Sequence, residues 1–136
     1  MNKLNFIKAD KPDCSNATDS EKITVTVREF ITTTLAEKIA TALWNKPEWA
    51  DSIVRFNYDN KIKNDCFNVI ALNETGDVVG GMFCIQNAED AGLWYYGDLF
   101  VVPDYTGKRI SKRLLETAEQ ALSCLLYTSD AADDLT

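Results

Sequence analysis

The residues best suited to chemistry lie in the stretch 98–113, where a strand pattern is followed by a short loop and a helix pattern. Six residues of an acidic protein hold four cations: Lys108, Arg109, Lys112 and Arg113. Cations near a helix N-terminus face the positive end of the helix dipole, a penalty of roughly 0.3–1 kcal/mol each when exposed. A bound anion would compensate, held by the free N–H groups of the loop and first turn. The alternative interpretation is a solvated basic face.

Asp98 is the only acid inside the long apolar pattern Leu93–Val102. An acid inside such a pattern is a candidate functional residue. The alternative is a hydrogen-bonded structural carboxylate. The chain has no histidine, which excludes Ser-His-Asp and Cys-His triads and HExxH zinc sites. Its four cysteines form no CxxC pair, so a zinc ribbon is not expected and buried core thiols are predicted for Cys66 and Cys84.

Apolar periodicity predicts the elements that would position these groups. The predicted order is β-α-α-β-β-β-α. Strands are expected at 23–27, 67–72, 78–85 and 93–102, with a hairpin connection at 73–77 and Pro103 ending the last strand. Helices are expected from the hydroxyls of 32–34 to Leu43, from Glu48 to about Tyr58, and from Ile110 to Leu122. Trp49, Ile53 and Phe56 share one face of the second helix and are predicted to pack in the core.

Length and charge limit the class of protein. The 136 residues suffice for one domain, and residues 1–21 read as a mobile extension. A net charge of −7 argues against a nucleic-acid-binding surface, which must neutralise phosphates. No apolar run is long enough to span a bilayer, and scattered thiols without a secretion signal favour the cytoplasm.

The run 101–115 resembles the central motif of the GNAT superfamily of N-acetyltransferases, in which a strand ends in V-x-P-x-Y and is followed by R-G-x-G-x-G and a helix. The matching positions are Val101, Pro103, Tyr105, Gly107, Ile110, Leu114 and Leu115. The Gly80-Gly81 pair of the preceding hairpin and the initial β-α-α order also resemble the family, over about 23–122. The resemblance implies an α+β, sandwich-like GNAT fold, with a mixed, mostly antiparallel sheet flanked by helices.

Three positions depart from the family pattern. Thr106 stands where the family usually has Arg or Gln, Arg109 replaces the middle glycine, and Ser111 replaces a final Gly or Ala. A side chain at position 109 could obstruct the pyrophosphate, or could point outward and add a charge-assisted contact. Ser111 is small enough to be harmless.

The activity implied by the resemblance is transfer of an acetyl group from acetyl-CoA to a primary amine of a small molecule or protein, with no covalent enzyme intermediate and no metal. Asp98 is the candidate general base. The implied acetyl-CoA site has the pantetheine beside Leu99 and Val101 and the phosphates on the loop and first helical turn, at Thr106, Gly107, Lys108, Arg109, Ile110 and Ser111. Further partners are the unknown amine acceptor and, in one alternative, a second copy of the chain as a homodimer.

The acceptor side of the implied site is less defined. Asp98 matches a position that holds an acid in some polyamine-acetylating relatives, but Gly97 stands where those relatives often have Glu. Trp94, Tyr95 and Tyr96 either line the acceptor site or belong to the core.

The end of the chain has a different character. Residues Cys124 to Asp133 resemble the in-frame translation of a transposase sequencing adapter, so 123–136 is predicted to be a non-native tail. The family's later strands and fourth helix would then be absent, which makes 22–122 a partial GNAT domain, and an inactive truncated chain is one alternative. The alternative functions are a non-catalytic acyl-CoA-binding or regulatory domain, suggested by Thr106 and Arg109, and an α+β interaction domain that binds no nucleotide.

Overall fold

The computed structural model describes the backbone of residues 22–135 and the side chains of residues 22–124. The extension predicted for 1–21 lies outside the described residues. The side chains of the predicted tail are described only at Ser123 and Cys124.

The described residues follow the predicted order β-α-α-β-β-β-α, which confirms it. A single-turn 3-10 helix precedes the second α-helix, and another follows the last strand. The strands are β1 (Thr24–Arg28), β2 (Cys66–Leu72), β3 (Val78–Gln86) and β4 (Trp94–Val101); the helices are α1 (Thr33–Trp44), α2 (Ala50–Lys63) and α3 (Ile110–Leu135); the 3-10 turns are Pro47–Trp49 and Pro103–Tyr105.

The four strands form one antiparallel sheet in the order β1-β2-β3-β4. The β2–β3 hairpin is closed by Asn73, whose side-chain oxygen accepts hydrogen bonds from the N–H groups of Thr75 (3.1 Å) and Asp77 (2.9 Å). Gly76 completes this turn at a φ of 86°, a conformation that glycine adopts without steric cost. Within the described residues, β4 pairs only with β3, so its outer edge is open.

Two apolar layers cover the sheet, because successive residues of a strand point to opposite faces. On β2, Val69 and Ala71 pack with α3, whereas Ile70 packs with α1 and α2. Cys66 and Cys84 are fully buried, as predicted. A helix-covered antiparallel sheet of this kind, with three helices, confirms the predicted α+β fold.

Helices α1 and α2 cover the face of the sheet opposite α3, and α2 differs from its prediction at both ends. The Thr32 side chain caps α1 by accepting the N–H of Leu35 (3.2 Å), as expected from its hydroxyl. The second helix begins at Ala50 rather than Glu48, because Pro47 starts a 3-10 turn first, and it continues to Lys63. Polar residues after Tyr58 obscure its amphipathic pattern.

The packing predicted for the aromatic residues of α2 and the turn before it is only partly right. Ile53 is half-buried in the layer between α2 and the sheet. Trp49 and Phe56 keep 46% and 50% of their surface exposed. Trp49 packs on Trp44 instead, with ring centroids 5.4 Å apart, at the exposed junction of the two helices.

Candidate functional site

The loop that joins β4 to α3, residues 102–109, is tied to the sheet at both ends of its 3-10 turn. The N–H of Val102 donates to the carbonyl of Val79 (2.9 Å). The Tyr105 hydroxyl accepts a hydrogen bond from the side-chain amide of Asn73 (3.2 Å), and its ring packs against the core. The hairpin turn therefore fixes the position of this junction loop.

The start of α3 lies directly against β3 at Gly80. A Cβ added at Gly80 would lie 3.1 Å from Cγ2 of Ile110, 3.1 Å from the Phe100 carbonyl oxygen and 3.4 Å from Cδ1 of Leu114. The Ile110 side chain is itself only 2% exposed. Ile110 can therefore offer a ligand little more than its backbone, and its side chain holds the helix start on the sheet.

Two residues of the junction loop adopt left-handed backbone conformations. Gly107 has a φ of 83° and Arg109 a φ of 64°. Glycine accepts this geometry freely, whereas for a residue with a Cβ it costs roughly 1–2 kcal/mol. The geometry explains why the GNAT motif has glycine at the position of Arg109. The first backbone bond of the helix runs from the N–H of Arg113 to the carbonyl of Arg109 (3.1 Å), so the N–H groups of 110–112 have no acceptor within the helix.

An open cleft of about 310 Å³ lies over this junction. It brings together six of the predicted acetyl-CoA residues and adds Tyr105, one of the motif positions, and Lys112, one of the four cations. The eight lining residues are Val101, Tyr105, Thr106, Gly107, Arg109, Ile110, Ser111 and Lys112. Leu99 and Lys108, also predicted, do not line it.

The four cations noted in the sequence separate in the structure. Arg109 and Lys112 are exposed and line the cleft. The guanidinium of Arg113 instead donates to the carbonyl of Ile23 (3.0 Å) and ties α3 to the start of β1. Lys108 is exposed beside the cleft. An anion in the cleft would therefore meet Arg109 and Lys112 first.

Asp98 lies at a β-bulge in the middle of β4. On β3 one residue, Met82, separates two paired positions, whereas β4 has two residues there, Asp98 and Leu99. Asp98 takes the left-handed conformation (φ 56°), which aspartate tolerates better than most residues. Both Asp98 and Leu99 are exposed. The bulge interrupts the β3–β4 ladder next to the open edge of β4.

The three consecutive aromatic residues that precede the bulge have different surroundings. Trp94 packs on Phe67 with ring centroids 5.6 Å apart, on the α3 face of the sheet. Burial raises the pKa of Tyr96, and the charge of Glu119 on α3 adds to the increase. Tyr95 is 69% exposed. Trp94 therefore contributes to the core, and Tyr95 is the most accessible of the three.

A second group of aromatic residues lies on the α2 face beside the bulge. The ring of Phe56 on α2 packs 5.1 Å from that of Phe83 on β3. Phe83 lies directly opposite Gly97, and apart from Gly97 and its two chain neighbours no heavy atom of the described residues comes within 4 Å of a Cβ built on Gly97. Phe56 and Phe83 were not among the site residues predicted from the sequence. The position of Phe83 beside the bulge follows only from the β3–β4 register, which places it opposite Gly97.

The described side chains contain no group of three or more His, Cys, Asp or Glu residues arranged to hold a metal ion. None of the described helices is both long and apolar enough to cross a membrane.

Comparison with known proteins identifies the family of the chain. Residues 32–132 match the sequence profile of the Acetyltransferase (GNAT) family, which is more than half of the chain. Searches of the curated proteins and of the solved structures found no significant match. The matched segment contains the β-bulge, the junction loop and the cleft described above. The chain belongs to the GNAT acetyltransferase family.

Proposed function

We propose that this protein transfers an acetyl group from acetyl-CoA to a primary amine. The observation that carries the proposal is the open cleft of about 310 Å³ at the junction of β4 and α3, within a GNAT domain. One wall of this cleft is a glycine-containing loop followed by the unsatisfied N–H groups of a helix start. Arg109 and Lys112 add two positive charges to the same cleft.

The acetyl donor would lie along the outer edge of β4 and end in the cleft. The pantetheine has amide groups that can pair with an open strand edge, and in the described residues β4 offers one at 99–101. The pyrophosphate would accept hydrogen bonds from the N–H groups of Gly107 to Ser111. Arg109 and Lys112 would face the phosphates across the cleft opening.

The reaction would then take place at the bulge. The neutral amine nitrogen attacks the thioester carbonyl, and a new C–N bond forms as the oxygen gains negative charge. Backbone N–H groups freed from the β3–β4 ladder are suited to stabilise that oxygen. Asp98 takes the proton from the amine nitrogen. The C–S bond breaks, and the coenzyme A thiolate leaves with the electron pair and takes up a proton.

The direct test is to incubate the purified protein with acetyl-CoA and a panel of primary amines, and to measure both free thiol and acetylated product. Release of coenzyme A thiol in equal amount to an N-acetyl product is the expected result. Failure of coenzyme A to bind by calorimetry would contradict the proposal at its first step.

A second candidate function is acyl-CoA binding without catalysis. The observation in its favour is Arg109, which puts a charged side chain at the cleft in a backbone conformation that normally selects glycine. Tight coenzyme A binding together with no turnover of any amine would favour this alternative.

A further inference from the structure

Glycine at position 97 of β4 is required neither by the backbone nor by tight packing. Its φ lies outside the left-handed region, which Asp98 adopts instead at the bulge (φ 56°). Apart from Gly97 and its two chain neighbours, no heavy atom of the described residues comes within 4 Å of a Cβ built on Gly97. A glycine inside a strand costs conformational entropy, and it often marks a place where a ligand approaches the backbone closely. Gly97 therefore indicates a ligand contact beside the bulge.

The space left by the missing side chain lies on the α2 face of the sheet, and we refer to it as the Gly97 space. Phe83, directly opposite Gly97, packs on Phe56 of α2 with ring centroids 5.1 Å apart. Tyr95 precedes Gly97 by two positions and so lies on the same face. Phe100, on the other side of the bulge, packs in the apolar layer under α1 and α2. Aromatic rings thus border the Gly97 space across the strand pair and along β4.

The α3 face of β4 has a different chemistry beside the same bulge. Strand alternation puts Tyr96 on this face, and the bulge at Asp98 lies opposite Met82, which belongs to the core layer under α3. Glu119 of α3 is close enough to Tyr96 to contribute to the rise in its pKa. This face therefore presents the carboxylates of Asp98 and Glu119 and a phenol, and it suits an amine and the proton that the amine loses.

The thioester of the donor would lie between these two faces, at the open outer edge of β4. From there an uncharged acyl chain gains more by contact with the rings of the α2 face than by displacing water from the carboxylates of the α3 face. We infer that the Gly97 space receives the acyl chain of the donor, and that this protein transfers short apolar acyl groups longer than acetyl, such as butanoyl, from coenzyme A to its amine acceptor. This inference rests on the proposed transfer from a coenzyme A thioester.

The reaction is otherwise unchanged by the longer chain. The amine nitrogen bonds to the butanoyl carbonyl carbon, the C–S bond breaks, Asp98 takes the amine proton, and coenzyme A leaves as a thiolate that takes up a proton from water. The methyl group of an acetyl donor ends next to the carbonyl and leaves the Gly97 space unfilled. The further methylene groups of butanoyl would bury apolar area against Phe83 and Phe56.

The test measures the Kd of coenzyme A, acetyl-CoA and butanoyl-CoA by titration calorimetry without an amine, so that no thioester is consumed. We expect butanoyl-CoA to bind at least about five-fold more tightly than acetyl-CoA, because full burial of one methylene is worth about four-fold and the space is partly open. Free coenzyme A, which has no acyl group, is the reference for each protein. With an amine that is acylated, kcat/KM is expected to favour butanoyl-CoA in the same direction.

A substitution at Gly97 links this preference to the Gly97 space. Gly97→Val fills the space and is expected to bring the Kd values of the two thioesters within about two-fold of each other. Gly92→Val is the matched control, because Gly92 lies in the loop before β4 and a Cβ built there makes only an ordinary contact, 3.6 Å from Oδ1 of Asp90. The control is expected to keep the preference for butanoyl-CoA. A thermal melt of each variant establishes that it folds.

A second pair of variants tests the border of the space from α2. Phe56→Ala removes one bordering ring and is expected to lower the preference for butanoyl-CoA at least about two-fold. Tyr58→Ala is the matched control, because Tyr58 is 60% exposed and lies two positions from Phe56, on a different face of the helix. This pair decides the same point if Gly97→Val does not fold.

Each outcome has a defined meaning. Equal Kd values for acetyl-CoA and butanoyl-CoA in the parent protein would overturn the inferred acyl selectivity and leave acetyl transfer intact. A preference for butanoyl-CoA that survives Gly97→Val in folded protein, or that Gly92→Val abolishes as well, would overturn the role of the Gly97 space. Failure of coenzyme A to bind, or absence of turnover with every amine, would overturn the proposed function itself, and the inference with it.

Discussion

Gly80 leaves no room for a side chain between β3 and Ile110 at the start of α3. A Cβ at Gly80 would lie 3.1 Å from Cγ2 of Ile110 and equally close to the Phe100 carbonyl oxygen. The Ile110 side chain is buried and the carbonyl belongs to the backbone of β4, so neither can easily move away from an added methyl group. Because Ile110 and its neighbours on both sides line the cleft, this contact sets how close that wall of the cleft lies to β3.

Gly80→Ala is expected to lower the free energy of unfolding by about 1–3 kcal/mol, the usual cost of overpacking a tight contact. It is also expected to weaken coenzyme A binding, because α3 must move to admit the methyl group. Gly97→Ala is the control, since open space surrounds the added carbon. Thermal melts of both variants measure the difference in stability, and equal stability of Gly80→Ala and Gly97→Ala would contradict the predicted overpacking at Gly80.

Asp98→Asn tests the candidate base. Asparagine also tolerates the left-handed backbone conformation, so the variant should fold normally and bind coenzyme A with little change. Loss of the carboxylate is expected to lower kcat by 10²- to 10⁴-fold, the usual contribution of general base catalysis. Asp104→Asn, at another exposed acid of the junction, is the matched control. Near-normal turnover by the Asp98 variant would make Asp98 a structural residue.

Local patterns in the sequence were enough to predict the elements of the fold. The alternation at 23–27 and the stripe that starts at Ile110 show which face of each element is buried, and the Thr32 hydroxyl marks a local helix cap, so each can be recognised within a few residues. The end of α2 was predicted too early, because Asp59 and Asn60 interrupt the apolar pattern while the exposed side of the helix continues. Periodicity marks the buried face of a helix better than its length.

The site was harder to predict, because it depends on register between distant strands. The motif located the cleft residues around Gly107 in one continuous segment. The bulge at Asp98 and the pairing of Phe83 with Gly97 follow only from how β3 aligns with β4. Nor could the sequence separate Arg113 from its neighbours: its bond to Ile23 joins residues ninety positions apart.

Asn57 provides a stability prediction away from the cleft. It is 4% exposed, and its side-chain N–H₂ group has no hydrogen-bond partner among the described residues. An unsatisfied buried donor typically costs about 1–3 kcal/mol. Asn57→Leu, similar in size and without the donor, is therefore expected to raise the free energy of unfolding by about 1 kcal/mol. Denaturant titration measures it, and a clear loss of stability would indicate a partner for Asn57.

Cys84 predicts how stability depends on alkaline pH. Burial, with a contribution from Cys66, raises the pKa of the Cys84 thiol to about 12. In the unfolded chain a thiol loses its proton near pH 8.5, so between about pH 9 and 12 the unfolded state binds fewer protons than the folded state. Stability should therefore fall as pH rises through this range. Cys84→Ala should show a shallower fall, and parallel slopes for the two proteins would contradict the assignment.

Arg109 and Lys112 give the sharpest test of the cleft. Both lie near the positive end of α3, where a cation is unfavourable unless an anion is bound. If the anion is a phosphate of coenzyme A, Arg109→Ala combined with Lys112→Ala should raise its Kd roughly 3- to 30-fold, at about 0.3–1 kcal/mol for each exposed contact.

The effect should also depend on salt, since exposed charge pairs are screened. The double variant is expected to show a flatter dependence of Kd on ionic strength than the parent. Without ligand it should be no less stable, because two unfavourable contacts with the helix dipole are removed.

Arg55→Ala combined with Lys63→Ala is the matched control: it changes net charge equally at two exposed cations of α2. Titration calorimetry at two salt concentrations measures the Kd of each variant and its salt dependence, and a thermal melt without ligand measures stability. An equal rise in Kd for both pairs would reflect only net charge, and an unchanged Kd for the first pair would place the phosphates outside this cleft.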